Sequence, residues 1–249
     1  MRIVISGTYS TGKTTTALSL SLLTGIKATH GRTMREILPA TFPGKRLEEC
    51  DFHELLELGL RRFTERVITE KKLGNSFISD GCPLQEWLYG TTRMSTGLNP
   101  AEKPWKLKLH KMLHAPEWKV FNEAITGFGK VVKEYTKNHY DTIIHLPVEF
   151  PFNPDGHRPT SESFRRESEV LLINTYKELE LEVLEVTGTM EERLNKIVKN
   201  LNLITVMSVE EAIALANEMR KTTFDNVKME AEKTSGASIY DLFRKSRQN

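Results

Sequence analysis

The segment from Gly7 to Thr14 constrains this chain more than any other feature of its sequence. It reads Gly-Thr-Tyr-Ser-Thr-Gly-Lys-Thr and matches the pattern G-x-x-x-x-G-K-[ST] at every fixed position. A β-branched apolar run, Arg2 to Ser6, precedes it, and apolar residues at helical spacing follow it between Lys13 and Leu23. A strand, a glycine-containing turn and a helix in this order predict the opening of a β-α-β unit.

This turn predicts a binding site for a nucleoside triphosphate. Its two glycines allow the backbone to curl so that successive N–H groups point at one anion, and the following helix directs its positive end to the same place. Lys13 can reach the β- and γ-phosphates, and the Thr14 hydroxyl can bind Mg²⁺. We therefore expect ATP and Mg²⁺ as cofactors. The expected nucleotide-binding residues are Gly7, Thr8, Ser10, Thr11, Gly12, Lys13, Thr14 and Thr15.

Strands and helices alternate along the first 200 residues. This alternation predicts an α/β fold, the three-layer fold of P-loop NTPases, with a central and mainly parallel sheet covered by helices on both faces. The predicted elements after the first helix are a helix over Phe52–Leu73, a strand over Phe77–Asp80, a helix over Trp118–Asn138, a strand over Tyr140–Pro147, a helix over Ser163–Glu178, a strand over Leu181–Val186 and a helix capped by Thr189 and Glu192.

Residues 81–119 do not follow this alternation, and we expect an irregular, locally basic insert there. Aromatic rings among lysines can stack on the bases of a nucleic acid, which makes DNA a candidate partner through this insert. The alternative is that the tryptophans pack the insert onto the domain beneath it. The segment contains all three tryptophans of the chain, Trp87, Trp105 and Trp118.

The last part of the chain, residues 201–249, predicts a C-terminal helical extension, with a capped helix that starts at Ser208. Its sequence fits a cap on the sheet as well as an element of a dimer. We therefore predict a P-loop domain over residues 1–200, including the insert at 81–119, followed by this extension.

Asp80 stands at the carboxyl end of a predicted strand, where ligands bind in open parallel sheets. One role for it is to bind Mg²⁺ through a water molecule. Another is to accept a proton from the hydroxyl of a substrate. A third interpretation is structural, because Asp80-Gly81 is also a favourable pair for a turn.

Three arginines, Arg158, Arg165 and Arg166, lie in a segment that leaves a strand, passes a Pro/Asp/Gly turn and enters a helix. Phosphoryl transfer develops negative charge on the γ-phosphate oxygens, so arginines on a closing lid are suited to stabilise it. The alternative is a solvated helix face, because glutamates alternate with these arginines.

The chain resembles the P-loop kinases related to the ribosylnicotinamide kinase domain, which are nucleoside-kinase-like proteins labelled AAA-type ATPases. The resemblance covers residues 1–200 and rests on the phosphate loop, on Phe77–Asp80, and on Asp155-Gly156-His157-Arg158 with Arg165 or Arg166 downstream. It implies a lid around Arg158 and a catalytic base at Asp80. It also implies that Arg35 contacts the substrate or a phosphate. The pair Asp80-Gly81 departs from the family, whose strand-end acid is usually followed by Arg or Thr.

Composition excludes several other classes of protein. The formal net charge is +2 and there are two cysteines, too few for a disulfide framework. No apolar run approaches the roughly 20 residues that span a bilayer. Because the chain runs from Met1 straight into the first strand, we expect no signal peptide, no membrane partner and a cytoplasmic location.

Two functions fit these features. The first is a kinase that transfers the γ-phosphate of ATP to a hydroxyl of a nucleoside-like acceptor, either a small molecule or a hydroxymethylated base in DNA. Lys13, Asp80, Arg158 and Arg165 would then be catalytic, and Arg35, Asp80 and Arg166 would bind the acceptor. The second is a regulatory P-loop ATPase that acts as a switch through a protein partner.

Overall fold

A computed structural model describes residues 1–29, 31–96, 112–113, 115–149 and 162–221 of the chain. Within these residues the central sheet contains four parallel strands: β1 (Arg2–Ser6), β2 (Phe77–Asp80), β3 (Thr142–His145) and β4 (Val183–Glu185). They lie in the order β2-β1-β3-β4, so that β1 is central. Parallel neighbours that are distant in the sequence require crossover connections, and helices provide them here. The predicted α/β class is confirmed.

Eight helices surround the sheet in the described part of the chain. Three of them begin with a complete capping box, at Thr33, Asp51 and Thr189, and Ser208 accepts a hydrogen bond from the backbone of Glu211 at 3.2 Å. A short 3₁₀ turn covers Leu47–Glu49. The helices are α1 (Lys13–Thr24), α2 (Met34–Thr41), α3 (Phe52–Leu73), α4 (Leu84–Thr96), α5 (Ala115–His139), α6 (Glu162–Glu178), α7 (Met190–Leu201) and α8 (209–221).

The strands separate two apolar clusters because successive side chains of a strand point to opposite faces of the sheet. On one face, Val4 and Ile143 pack with residues of α3, α4, α5 and α6. On the other face, Ile3, Ile5 and Ile144 pack with residues of α1, α7 and α8. Near-continuous burial of β1 and β3 is typical of a parallel sheet covered on both sides. The molecule is therefore a three-layer sandwich of helices, sheet and helices.

A buried polar network fixes α3 against the end of β2. The Glu70 carboxylate of α3 accepts hydrogen bonds from the hydroxyls of Ser79, Tyr135 and Tyr140, at 2.5, 2.8 and 2.9 Å. Burial raises the pKa of both tyrosines, so they remain donors at neutral pH. One turn earlier, Arg66 donates to the carbonyls of Asp80 and Gly81. Two turns of α3 thus hold the strand end on which the proposed site depends.

The region predicted to be irregular contains a regular helix. α4 occupies residues 84–96 and packs against α3, α5 and α6. Trp87 and Trp118 are buried in the cluster around these helices, at 8 and 6% exposure, so neither offers a ring face to a nucleic-acid base. The expectation of irregular structure is therefore wrong for this part of the segment. Trp105 lies outside the described residues.

The beginning of the C-terminal segment packs onto the domain. The N–H of Val206 donates to the carbonyl of Leu23 at the end of α1, at 2.8 Å. On α8, Ala212 and Ala216 are fully buried, and Ala212 belongs to the apolar cluster of the sheet. Small side chains allow α8 to lie close to its neighbours. In the described residues no helix is both long and apolar enough to cross a membrane.

Two glycines of α5 provide a test of the packing between α4 and α5. A Cβ atom on Gly129 would lie 2.5 Å from Nε1 of Trp87, whereas a Cβ on Gly127 would meet no atom within 4 Å. We expect Gly129→Ala to lower the free energy of unfolding by about 1–3 kcal/mol through overpacking. Gly127→Ala should raise it by about 0.5–1 kcal/mol, because alanine is the better helix former.

Urea denaturation of both variants measures these changes. Equal effects of the two substitutions would contradict the close packing of α4 on α5.

Candidate functional site

The phosphate loop between β1 and α1 has the backbone conformation that its glycines allow. Gly7, Ser10 and Gly12 have φ angles of 140°, 62° and 91°. A Cβ on Gly7 would lie 2.4 Å from the carbonyl oxygen of Leu146, so only glycine fits there. Lys13, the first residue of α1, donates from Nζ to the carbonyl of Thr8 at 2.6 Å. The loop and the helix N-terminus therefore have the backbone conformation of an anion-binding turn, and phosphate binding there stays a prediction.

Two buried side chains that the sequence analysis missed donate hydrogen bonds to backbone carbonyls of this loop. Gln85 of α4 donates to the carbonyl of Gly7 and accepts from the N–H of Cys82 at 3.0 Å. Arg193 of α7 donates to the carbonyl of Thr11 at 2.7 Å and pairs with Glu149. Both contacts give a hydrogen-bond donor to a carbonyl of the loop, so they hold its backbone in one conformation.

Asp80 lies beside this loop because β1 and β2 are parallel neighbours. Ile5 of β1 is the register partner of Asp80, and the N–H of Gly81 donates to the carbonyl of Ile5 at 3.0 Å. The N–H of Asp80 donates to the Thr29 hydroxyl at 3.0 Å, and its side chain is buried at the sheet edge, with 8% of the residue exposed. The structure thus brings together Lys13, Thr14 and Asp80 at one edge of the sheet.

The predicted lid arginines differ in their environments. Arg165 is buried, with 1% exposed, whereas the side chain of Arg166 is 77% exposed and pairs with Glu162 at 3.2 Å. Arg158 lies outside the described residues. Arg35 is half-buried on the first turn of α2. The chain before it passes close to the proposed base, since a Cβ on Gly31 would lie 2.8 Å from the carbonyl oxygen of Asp80.

Tyr9 connects the phosphate loop to α4 and α6. Its ring lies 6.4 Å from the ring of Tyr89 and 6.2 Å from that of Phe164, centroid to centroid. Its hydroxyl interacts with the backbone of Arg165, and burial raises the pKa of Tyr9 to about 12. This contact places the N-terminal turn of α6, with Arg165, against the loop.

Residues of α6 closer to its C-terminus bind the carboxyl edge of the sheet. His145, the last residue of β3, makes a hydrogen bond from Nε2 to Glu169 of α6 at 2.9 Å. The hydroxyls of Ser6 and Tyr176 are 2.6 Å apart. α6 is therefore fixed at Tyr9, β1 and β3, so its N-terminal arginines have a defined position relative to the loop.

The residues at this edge suit a magnesium nucleotide. The left-handed backbone at Gly12 and Ser10, and the space at Gly7 that a Cβ would fill, are the features of an anion-binding loop. Mg²⁺ in phosphoryl-transfer sites is held by one or two side chains together with the phosphates of the substrate. Thr14 and Asp80 are the side chains here that fit this requirement.

A family model described as AAA domain matches residues 2–193. The chain belongs to this AAA domain family. The match begins in β1, contains the phosphate loop, Asp80 and Arg165, and ends at Arg193 in α7. No curated protein matches the sequence of this AAA domain protein.

Solved structures of two kinds share the fold of this family member. Deoxyadenosine kinase from M. mycoides with bound dATP has a TM-score of 0.56 and 16% sequence identity, and the alignment covers 81% of this chain and 99% of that chain. The NadR protein in complex with NR has a TM-score of 0.55 and 13% identity, with 83% of this chain and 53% of that chain covered. The fold is thus that of the P-loop kinases, and the resemblance noted from the sequence is confirmed.

The support of the loop by Arg193 leads to a prediction for the AAA domain. Arg193→Met removes the donor to the Thr11 carbonyl and leaves Glu149 near the loop without its cation. We expect MgATP to bind at least about tenfold more weakly, and the free energy of unfolding to fall by about 1–3 kcal/mol. Lys196→Met, an exposed position one turn along the same helix, is the matched control and should change neither quantity.

Isothermal titration with MgATP and urea denaturation measure the two effects. Wild-type affinity in Arg193→Met would contradict a role for this contact in shaping the loop.

Proposed function

We propose that this protein is an ATP-dependent kinase that transfers the γ-phosphate to a hydroxyl of a nucleoside-like acceptor. The observation that carries the proposal is the position of Asp80 one strand away from the phosphate loop, at the same edge of the sheet. This is where parallel α/β sheets bind their ligands. The family membership and the fold shared with a deoxyadenosine kinase support the proposal.

On the donor side, the chain's own groups bind and orient the triphosphate. The loop N–H groups and the start of α1 contact the phosphates, and Lys13 turns from the Thr8 carbonyl to the β- and γ-phosphates. Thr14, with Asp80 through a water molecule, would hold Mg²⁺. When bound, Mg²⁺ neutralises charge on the phosphate oxygens.

On the acceptor side, Asp80 orients the acceptor hydroxyl and accepts its proton as the oxygen attacks the γ-phosphorus in line. Arg165 stabilises the negative charge that develops on the γ-phosphate oxygens, from its buried position beside the loop. Arg35 and Arg166 are proposed acceptor contacts. Arg166 must leave its pair with Glu162 to make such a contact. Arg158 is proposed as a further lid arginine.

A transfer assay with γ-labelled ATP and Mg²⁺ tests the class of reaction. The panel contains nucleosides, nucleotides, ribosylnicotinamide, and DNA with plain or hydroxymethylated bases. Label on any acceptor supports the kinase and identifies its substrate group. Label that appears only as free phosphate, at a rate indifferent to the panel, would favour the regulatory ATPase.

Lys13→Ala should abolish transfer while leaving the melting temperature without nucleotide close to that of the wild type. The lysine contributes positive charge to the bound phosphates, and in the fold its Nζ donates to the carbonyl of Thr8 in the loop. Lys27→Ala, at an exposed position after α1, is the control and should retain activity. A collapsed fold in Lys13→Ala would instead make this lysine a structural residue of the loop.

Asp80→Asn should lower kcat by about 10²-fold or more, which is the usual contribution of a general base. The amide is nearly isosteric with the carboxylate, so the strand end and its backbone hydrogen bonds should persist. Asp51→Asn is a matched control, because asparagine caps the N-terminus of α3 as well as aspartate does. Near-complete activity in Asp80→Asn would indicate that Asp80 is a structural residue of the turn and not a general base.

A further inference from the structure

An arginine near the end of α8 contacts the first turn of α1. Nη1 of Arg220 donates to the hydroxyl of Thr15 at 2.6 Å, although the two residues lie 205 positions apart in the sequence. Thr15 is buried, and it directly follows Lys13 and Thr14 at the end of the phosphate loop. The C-terminal segment therefore places a guanidinium beside the proposed nucleotide site.

α8 reaches this position because it runs antiparallel to α1. The N–H of Val206, just before α8, donates to the carbonyl of Leu23 near the end of α1. Further along α8, Ala212 and Ala216 are fully buried, and Ala212 belongs to the apolar cluster that also contains residues of α1. A helix that begins beside the end of α1 and packs along it ends beside the start of α1. The packing of the whole helix thus determines where Arg220 lies.

The first turn of α1 is suited to an anion. It contains Lys13 followed by three threonines, and it has no acidic residue. The N–H groups at the start of a helix carry a partial positive charge, which favours a nearby anion and disfavours a nearby cation. By contrast, α2, α3 and α7 each have a glutamate in their first turn. A guanidinium beside α1 adds to the local positive charge, and the phosphates of a nucleotide would offset it.

Arg220 and Lys13 approach the start of α1 from different sides. Successive residues of an α-helix are separated by about 100° around its axis, so Lys13 and Thr15 are roughly 200° apart. The lysine of a phosphate loop reaches the β- and γ-phosphates, and the loop N–H groups bind the α- and β-phosphates. Since Lys13 serves the γ-phosphate end of the triphosphate, a guanidinium on the Thr15 side is placed for the α-phosphate.

From this geometry we propose that Arg220 binds the α-phosphate of the donor nucleotide, so that α8 forms part of the nucleotide site. The Thr15 hydroxyl orients the guanidinium through one N–H group, and arginine can direct a pair of parallel donors at phosphate oxygens. Arg220 lies beyond residues 2–193, the part of the chain that the family model matches. The inference rests on the proposed function for nucleotide binding at the loop, and it does not require phosphoryl transfer.

Nucleotide binding by variants of the full chain tests this inference. Isothermal titration measures the affinities of MgATP and MgADP, which both contain the α-phosphate. Arg220→Met removes the charge and the N–H donors, and Arg220→Lys retains the charge. Lys221→Met is the matched control, because it removes a positive charge from the next residue of the same helix, at an exposed position.

We expect Arg220→Met to bind MgATP and MgADP at least about tenfold more weakly, by the same factor for both. Arg220→Lys should recover part of the affinity, and Lys221→Met should bind both nucleotides as the wild type does. Without nucleotide, the melting temperature of Arg220→Met should stay within about 2 °C of the wild-type value, because the side chain is exposed.

Hydrogen exchange of α8 gives an independent readout. A phosphate bound by Arg220 links α8 to the nucleotide, so MgATP should slow the exchange of the amides of residues 209–221. The same measurement on Arg220→Met, at a MgATP concentration that saturates the variant, should show no such protection. Protection that persists in the variant would contradict the link through Arg220.

Wild-type affinity in Arg220→Met, a loss for MgATP alone, or an equal loss in Lys221→Met would each overturn the inference. A lower melting temperature of Arg220→Met without nucleotide, with no recovery of affinity in Arg220→Lys, would make Arg220 a structural contact of α8 and would also overturn it. A wild type that binds neither nucleotide would contradict the proposed function and, with it, this inference. A protein that binds nucleotide through Arg220 but transfers no phosphate would contradict the proposed function alone.

Discussion

The parallel pairing of β1 with β2 and β3 is the constraint on which the site depends. Because all strands of the sheet run the same way, their carboxyl ends meet at one edge, and the residues that follow them become neighbours. Ile5 pairs with Asp80 and Ser6 pairs with His145 in the strand register. The phosphate loop, the strand-end acid and the anchor of α6 therefore share one edge, although the sequence separates them widely.

The groups that hold this edge are polar and buried, and nearly all of them are paired. Glu70 receives three hydroxyl donors, and Arg66 bridges α3 to the turn after β2. Breaking one member of such a network leaves its partner buried without compensation, which costs more than the network contributes in net stability. These pairings therefore contribute more to a fixed geometry than to net stability. They keep the end of β2, which carries Asp80, in a defined position.

The parts of the structure that were predictable from sequence are those with a local signal. The bounds of α3 and β2, the capping box at Thr189 and the N-cap at Ser208 follow from spacing and end residues, and all are confirmed. α4 was not predicted, because Gly90, Thr91 and Thr92 interrupt its apolar spacing. Its helical state depends on packing against α5 and α6, where Thr92 and Ser168 are both buried.

The supports of the loop carry no local signal at all. Gln85 lies 78 residues from Gly7, and Arg193 lies 182 residues from Thr11. Neither residue type is unusual on a helix, so only the fold shows that they bind loop carbonyls. The loop is recognisable in the sequence because its conformation requires glycine at fixed positions. The residues that support it come close to it only in the folded chain, so no sequence pattern marks them.

The contrast between Arg193 and Arg93 shows how burial separates two kinds of arginine. Arg193 has a carboxylate and a carbonyl as partners, which complete its coordination within the fold. Among the described residues, the partners of Arg93 are a backbone carbonyl of its own helix and the Phe164 ring, which offset the desolvation of its charge less than a carboxylate does.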